Sequence, residues 1–229
     1  MRRIGASIFA PRTLELPRVA NDGAALRANT TAPTITWVGH ATLLIQLDGV
    51  NVLTDPQWSE RASPVSFAGP RRLTPPGLRL EDLPPIHVVL ISHDHFDHLD
   101  EATVKRLAAA AHPPRFYVPL GLKAWLATRG VTDVVELDWW DSRVERGLTL
   151  TLVPVQHWSS RSFFELNNRL WGGWAIAGRE RRAFFAGDTG YYAPYFQAIG
   201  ARLGPAADHP VLLTVPETRY LKGLLLQTV

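Results

Sequence analysis

The sequence predicts a layered α/β domain, and three observations carry that reading. Short β-rich runs alternate with helix candidates, as in mixed layered folds and unlike a bundle or a sandwich. One nearly continuous apolar run, His87–Ile91, has the composition of a strand buried on both faces. The 229 residues are 46% hydrophobic and 20% charged, which suits one domain with a real core and excludes a disordered or fibrous chain. No internal repeat or low-complexity segment interrupts the pattern.

Residues 1–33 read as an N-terminal arm. They carry five arginines against Glu15 and Asp22 and so account for the whole net charge of +3. The arm reads as solvated. The alternative is that Arg2, Arg3, Arg12 and Arg18 lean on an anionic partner such as a phospholipid surface. The remainder shows no basic stripe, which argues against a nucleic-acid partner. No apolar run approaches the roughly 20 residues that span a bilayer. The start, Met1-Arg2-Arg3, leads to no clear cleavage site, so the expected location is cytoplasmic, with peripheral membrane contact as the variant.

Beyond the arm, Thr34–Val38, Thr42–Leu47 and Val50–Thr54 predict strands. They are parted by Gly39-His40 and by Asp48-Gly49, the latter a hairpin signal. Residues 55–85 form an irregular stretch with Pro56, Pro64, Pro70, Pro75, Pro76, Pro84 and Pro85, and a loop that long is more often functional than idle. After the His87–Ile91 strand, Asp100 is a plausible cap for a helix over Glu101–Ala111. Phe116–Val118 predicts a strand and Gly121–Arg129 a helix. Val134–Leu137, Leu148–Val153, Leu170–Ala177 and Ala183–Ala186 predict further strands.

The chemistry concentrates in His93-Asp94-His95-Phe96-Asp97-His98, directly after the buried strand. A strand-to-helix turn can aim these imidazoles and carboxylates into one pocket, and burying so many ionisable groups without a cation is costly. The chain has no cysteine, so disulfides, thiolate nucleophiles and Cys-containing metal sites are excluded, and His, Asp and Glu are the available ligands. That set suits zinc, iron or manganese. His157, after the Leu148–Val153 strand, and Asp188, after Ala183–Ala186, are candidates for the same centre. Three strand-end sites at these separations describe a metal centre assembled across a sheet.

The HxHxDH run, the distant His157 and the Gly187-Asp188-Thr189-Gly190 turn resemble the signature of the metallo-β-lactamase-fold hydrolases. Trp37-Val38-Gly39-His40-Ala41-Thr42, Leu53-Thr54-Asp55-Pro56, Arg61-Ala62-Ser63-Pro64, Gly69-Pro70-Arg71-Arg72 and Gln156-His157-Trp158-Ser159 narrow the resemblance. They are similar to the N-acyl-phosphatidylethanolamine phospholipase D branch and its bacterial relatives, over about residues 33–205.

The resemblance implies a four-layer αββα fold and two zinc ions. His93, His95 and His157 would hold one ion, Asp97 and His98 the other, and Asp188 would bridge. Asp97 and His98 are also the implied catalytic residues, with Asp97 able to orient the nucleophile. The implied reaction is hydrolysis of a phospholipid or other phosphodiester by a metal-bound hydroxide, giving phosphatidic acid and an N-acylethanolamine. His40 is read as supporting the site or the fold rather than ligating, and Asp55 as ordering a metal-bound His. Arg61, Arg71 and Arg72 are candidates for phosphate contact, with surface salt bridges as the alternative. Of the aromatics from Trp158 to Trp174, most read as core and one or two as lining for an acyl chain.

The resemblance stops near Pro205. Family members continue with a strand, a helix and a final strand that gives the second metal one more His. Residues 206–229 carry no such text, so the expectation is a second half incomplete at the C-terminus, through truncation or a shifted reading frame, with a weakened second zinc site. This divides the chain into the 1–33 arm, a 34–205 hydrolase domain and an atypical 206–229 tail. His209 is the tail's one candidate substitute ligand, and Leu221, Leu224, Leu225 and Leu226 could form a short helix. Two further expectations compete with phosphodiester hydrolysis: a relative that opens a lactone or small ester, and an inactive metal-binding remnant.

Overall fold

Asp48 and Gly49 both adopt left-handed backbone (φ 51 and 79), the conformation that a two-residue hairpin turn requires. In the computed structural model, which describes residues 21–162, 164–204 and 210–213, this turn joins β2 (Thr42–Leu47) to β3 (Val50–Thr54). β1 (Thr34–Gly39) pairs with β2 on the other side. β4 (Val88–Leu90), β5 (Arg115–Pro119) and β6 (Val134–Leu137) continue the sheet in parallel from β3. Helices α2 (Glu101–Ala108) and α3 (Leu122–Ala127) make the crossovers. The resulting six-stranded sheet runs β1-β2-β3-β4-β5-β6.

A second sheet of five strands runs β11-β10-β9-β8-β7, from β7 (Ser142–Glu145), β8 (Leu148–Val153), β9 (Gly173–Ala177), β10 (Arg182–Phe185) and β11 (Pro210–Leu213). β10 and β11 are parallel, joined through α4 (Ala193–Leu203).

Period-two alternation sorts the core into two layers. Leu43, Ile45, Val52 and Leu90 of the first sheet meet Leu148, Leu150, Leu152, Trp174, Ile176 and Phe185 of the second. On the opposite face, Leu44, Leu53, Val89, Phe116 and Val118 pack against Val104 and Leu107 of α2 and Leu122 and Leu126 of α3. The central strands β2, β3 and β4 are thus buried on both faces, which is why they read as near-continuous apolar runs.

Several elements differ from the sequence reading. Within residues 21–33 the chain forms a short helix without buried residues that the sequence did not announce, α1 (Ala24–Ala28), and it is tied to the domain. Arg27 Nη1 donates to the Asp82 carbonyl at 2.6 Å, and Gln46 Nε2 donates to the Leu26 carbonyl at 2.9 Å. The α2 helix stops at Ala108 rather than Ala111, before Pro113 and Pro114. The β9 strand starts at Gly173 rather than Leu170. Strands β7 and β11 and helix α4 were not expected. Arg2, Arg3, Arg12 and Arg18, together with Phe163, His209 and the 221–226 leucines, lie outside the described residues. Among the described residues, no helix is long and apolar enough to cross a membrane.

Candidate metal centre

The turn that carries the histidines follows β4 and is closed by two backbone hydrogen bonds onto the His95 carbonyl, from His98 at 3.1 Å and Leu99 at 2.8 Å. Asp100 then caps α2. The loops after β3, β8 and β10 converge on this turn and bring Asp55, His157 and Asp188 with them. Gly187 makes the last approach possible: a Cβ there would lie 2.6 Å from the Ser92 Cβ, and its φ of 61 is left-handed.

Three imidazole nitrogens face one point. His93 Nε2 lies 2.8 Å from His95 Nδ1 and 3.2 Å from His157 Nε2, which is 3.3 Å from His95 Nδ1. Three mutually adjacent ring nitrogens cannot all be paired by hydrogen bonds, whereas one cation satisfies all three. The network also assigns tautomers. Ser92 Oγ donates to Asp55 Oδ2 at 2.5 Å and therefore accepts from His93 Nδ1 at 2.8 Å, leaving the lone pair of His93 Nε2 aimed at that point. Burial, then the charge of neighbouring imidazoles, holds His93 well below the usual imidazole range. Burial pushes His157 down to about 4 against the pull of Asp188. Neutral imidazoles at neutral pH are what a metal requires.

Beside them lies a second group. His98 is fully buried, and its Nδ1 donates to Asp55 Oδ2 at 2.7 Å. Its Nε2 is buried without a hydrogen-bond partner, 3.3 Å from Asp188 Oδ1 and 3.7 Å from Asp97 Oδ2. Burial opposes charge on His98, yet the carboxylates of Asp188 and Asp55 lift its pKa well above the usual range. Burial would raise Asp97, but the hydrogen bond from His40 and the charge of His98 hold it below the usual carboxylate range. This pocket demands positive charge, and a metal ion fits it. Asp188 lies between the groups, its other oxygen 3.8 Å from His157 Nε2.

The structure therefore brings together His93, His95, Asp97, His98, His157 and Asp188, with Asp55 behind His98 and His40 Nε2 2.9 Å from Asp97 Oδ2. The three arginines make contacts around their own loop, and Arg72 Nη1 also comes up to Gly39, beside His40: a Cβ on that glycine would lie 3.3 Å from it. Arg71 pairs with Glu60 at the surface, Arg61 Nη1 donates to the Gly69 carbonyl at 2.7 Å, and Arg72 Nε donates to the Ser59 carbonyl at 3.2 Å. Trp174 is core, whereas Trp158 is half-exposed with its ring 4.2 Å from that of His95.

A family model described as "Beta-lactamase superfamily domain" matches residues 50–216. The chain belongs to the metallo-β-lactamase superfamily. Within it, the N-acyl-phosphatidylethanolamine-hydrolyzing phospholipase D 1 of Caenorhabditis elegans is 46% identical over 179 residues, 74% of this chain. This chain spans about half the length of that relative, 50%. A metal-dependent hydrolase of Methanopyrus kandleri is 31% identical over 160 residues, 68% of this chain and 62% of that one. Among solved structures, CmlA, a diiron β-hydroxylase from Streptomyces venezuelae, superposes with a TM-score of 0.59 at 25% identity, covering 80% of this chain and 34% of that chain. This metallo-β-lactamase domain is thus similar both to a member of the phospholipase D branch and to a metal-dependent hydrolase.

Three residues that support this metallo-β-lactamase site carried no sequence signal. Ser92 sets the His93 tautomer. Arg169 Nη1 pairs with buried Asp94 at 3.0 Å. Arg161 Nη1 donates to the carbonyls of Asp94 and Leu99, both at 2.8 Å, with its guanidinium over the rings of Phe96 and Trp125. Both arginines are too far along the chain for any local pattern to announce them.

Proposed function

We propose that this chain is a zinc-dependent phosphodiesterase acting on an N-acyl-phosphatidylethanolamine-type phospholipid, releasing an N-acylethanolamine and phosphatidic acid. The observation that carries the substrate is the 46% identity to a phospholipase D of that specificity over 179 residues. His93, His95 and His157 would hold one ion, Asp97 and His98 the other, with Asp188 between them. When bound, such a pair supplies Lewis acidity toward phosphoryl oxygens and a nucleophile at neutral pH.

The chain's own residues prepare that chemistry. Ser92 and Asp55 fix the His93 and His98 rings so that each presents Nε2 to the site. Asp97, with its side chain 39% exposed, is the carboxylate of this site nearest solvent and so the group placed to orient an incoming water. Trp158, 45% exposed beside His95, and Trp37, 64% exposed three residues before His40, offer apolar surface for acyl chains.

The test is turnover of a diacyl N-acyl-phosphatidylethanolamine in detergent micelles by zinc-loaded protein, followed as N-acylethanolamine released, beside a simple lactone and an iron-loaded sample. The expected result is phospholipid cleavage that zinc supports and His95→Ala abolishes. Lactone opening without phospholipid cleavage, or activity with iron alone, would overturn the reading.

A further inference from the structure

We propose that His40 is itself a ligand of the second metal ion, completing a set with Asp97 and His98 that Asp188 joins from the other sheet. The inference rests on the two-metal reading above. Among the described residues, His40, Asp97 and His98 each offer one ligand atom, all within 4.8 Å of one another. Asp97 Oδ2 lies 2.9 Å from His40 Nε2 and 3.7 Å from His98 Nε2. Metal bonds of about 2.0–2.2 Å put neighbouring ligand atoms roughly 2.9–3.5 Å apart, so an ion fits among these three atoms with small side-chain movements. His98 is locked by burial, but the His40 side chain is 40% exposed and free to make the adjustment.

The backbone points the same way. The β1–β2 register slips between Trp37 and Gly39, a bulge of the kind that re-aims side chains beside active sites. His40 then adopts φ 50, a left-handed conformation uncommon outside glycine. Trp37 Nε1 pins it there by donating to the His40 carbonyl at 2.9 Å. A turn that only had to reverse the chain would favour Gly or Asn at this position. Histidine is among the few side chains that tolerate this conformation, and here the turn that needs it also delivers an imidazole to Asp97.

A His40 that merely oriented Asp97 would make the same 2.9 Å contact, so the test separates the two roles. Glutamine keeps an N–H donor for Asp97 but is a poor ligand for a borderline ion, and alanine removes both functions. Metal-free protein is titrated with Zn2+ against a chromophoric chelator, with stoichiometry read by native mass spectrometry. Wild-type chain is expected to bind two ions. His40→Ala and His40→Gln should each keep the ion at His93, His95 and His157, which also certifies their folding, while second-site affinity falls at least about tenfold. Wild-type affinity in His40→Gln, with or without weakening in His40→Ala, overturns the inference and leaves His40 an orienting residue. A wild-type chain that binds fewer than two ions overturns the two-metal reading itself, and the inference with it.

Discussion

Asp55 carries three hydrogen bonds on two oxygens while fully buried at φ 36. Its Oδ1 accepts from the Ser92 amide at 2.7 Å, and its Oδ2 accepts from Ser92 Oγ at 2.5 Å and from His98 Nδ1 at 2.7 Å. An amide cannot replace it, because whichever way asparagine turns, its NH2 faces a donor. Asp55→Asn is therefore expected to spoil the His98 tautomer and lower metal affinity about 10–100-fold, as measured by chelator competition. Unchanged affinity would mean that His98 is oriented by something else. At this scale the sequence was legible where candidate ligands stand together, as in His93 to His98, and where an acid follows a strand, as at Asp55. It was silent at Ser92, whose role depends on which atoms its hydroxyl meets, and at Arg169, which reaches Asp94 from 75 residues away.

The α2 helix and the proline-rich loop share one anchor. Asp100 caps α2 by accepting from the Ala102 amide at 3.2 Å, and its Oδ2 also accepts from the amides of Trp58 at 3.1 Å and Ser59 at 2.9 Å. Ser59 Oγ and Thr103 Oγ1 donate to it as well. Truncating Asp100 strands several of these donors at once. Asp100→Ala should cost at least about 2 kcal/mol in urea unfolding and speed proteolytic cleavage in residues 56–85. A loss below about 0.5 kcal/mol would show that solvent replaces the carboxylate. Among elements, those with a buried face were legible, β2, β3, β4 and β8 above all. Strand β7, Ser142–Glu145, is a largely exposed edge with Arg143 and Glu145 among its four residues, and α4 buries no residue fully. Their positions come from pairing and from the β10–β11 crossover, neither of which leaves a hydrophobic period in the chain.

The candidate metal centre spans both sheets. His93 to His98 come from the loop after β4 in the first sheet, His157 and Asp188 from loops after β8 and β10 in the second. Protein contacts already tie the sheets nearby: Trp174 Nε1 donates to the Ile91 carbonyl and the Gly172 amide to the Ser92 carbonyl, both at 2.9 Å. Ions bound to this arrangement bind the folded chain and not the unfolded one, adding about 2.7 kcal/mol when free metal is a hundredfold above Kd. Chelation should accordingly lower the thermal midpoint reversibly, and His157→Ala should erase most of the difference between metal-loaded and metal-free protein. Equal midpoints with and without metal in the wild-type chain would contradict a site that joins the sheets.

The layered α/β class, the Asp48-Gly49 hairpin, the buried β4 strand and the candidate ligands were legible in the chain itself, because each is written in neighbouring residues or in a period of two. Only the tertiary structure decided which groups meet. It gave Ser92 to His93, Asp55 to His98, Arg169 to Asp94 and His40 to Asp97. Those pairings depend on how two sheets face one another and on where their loops converge, and no local pattern of side chains encodes that distance.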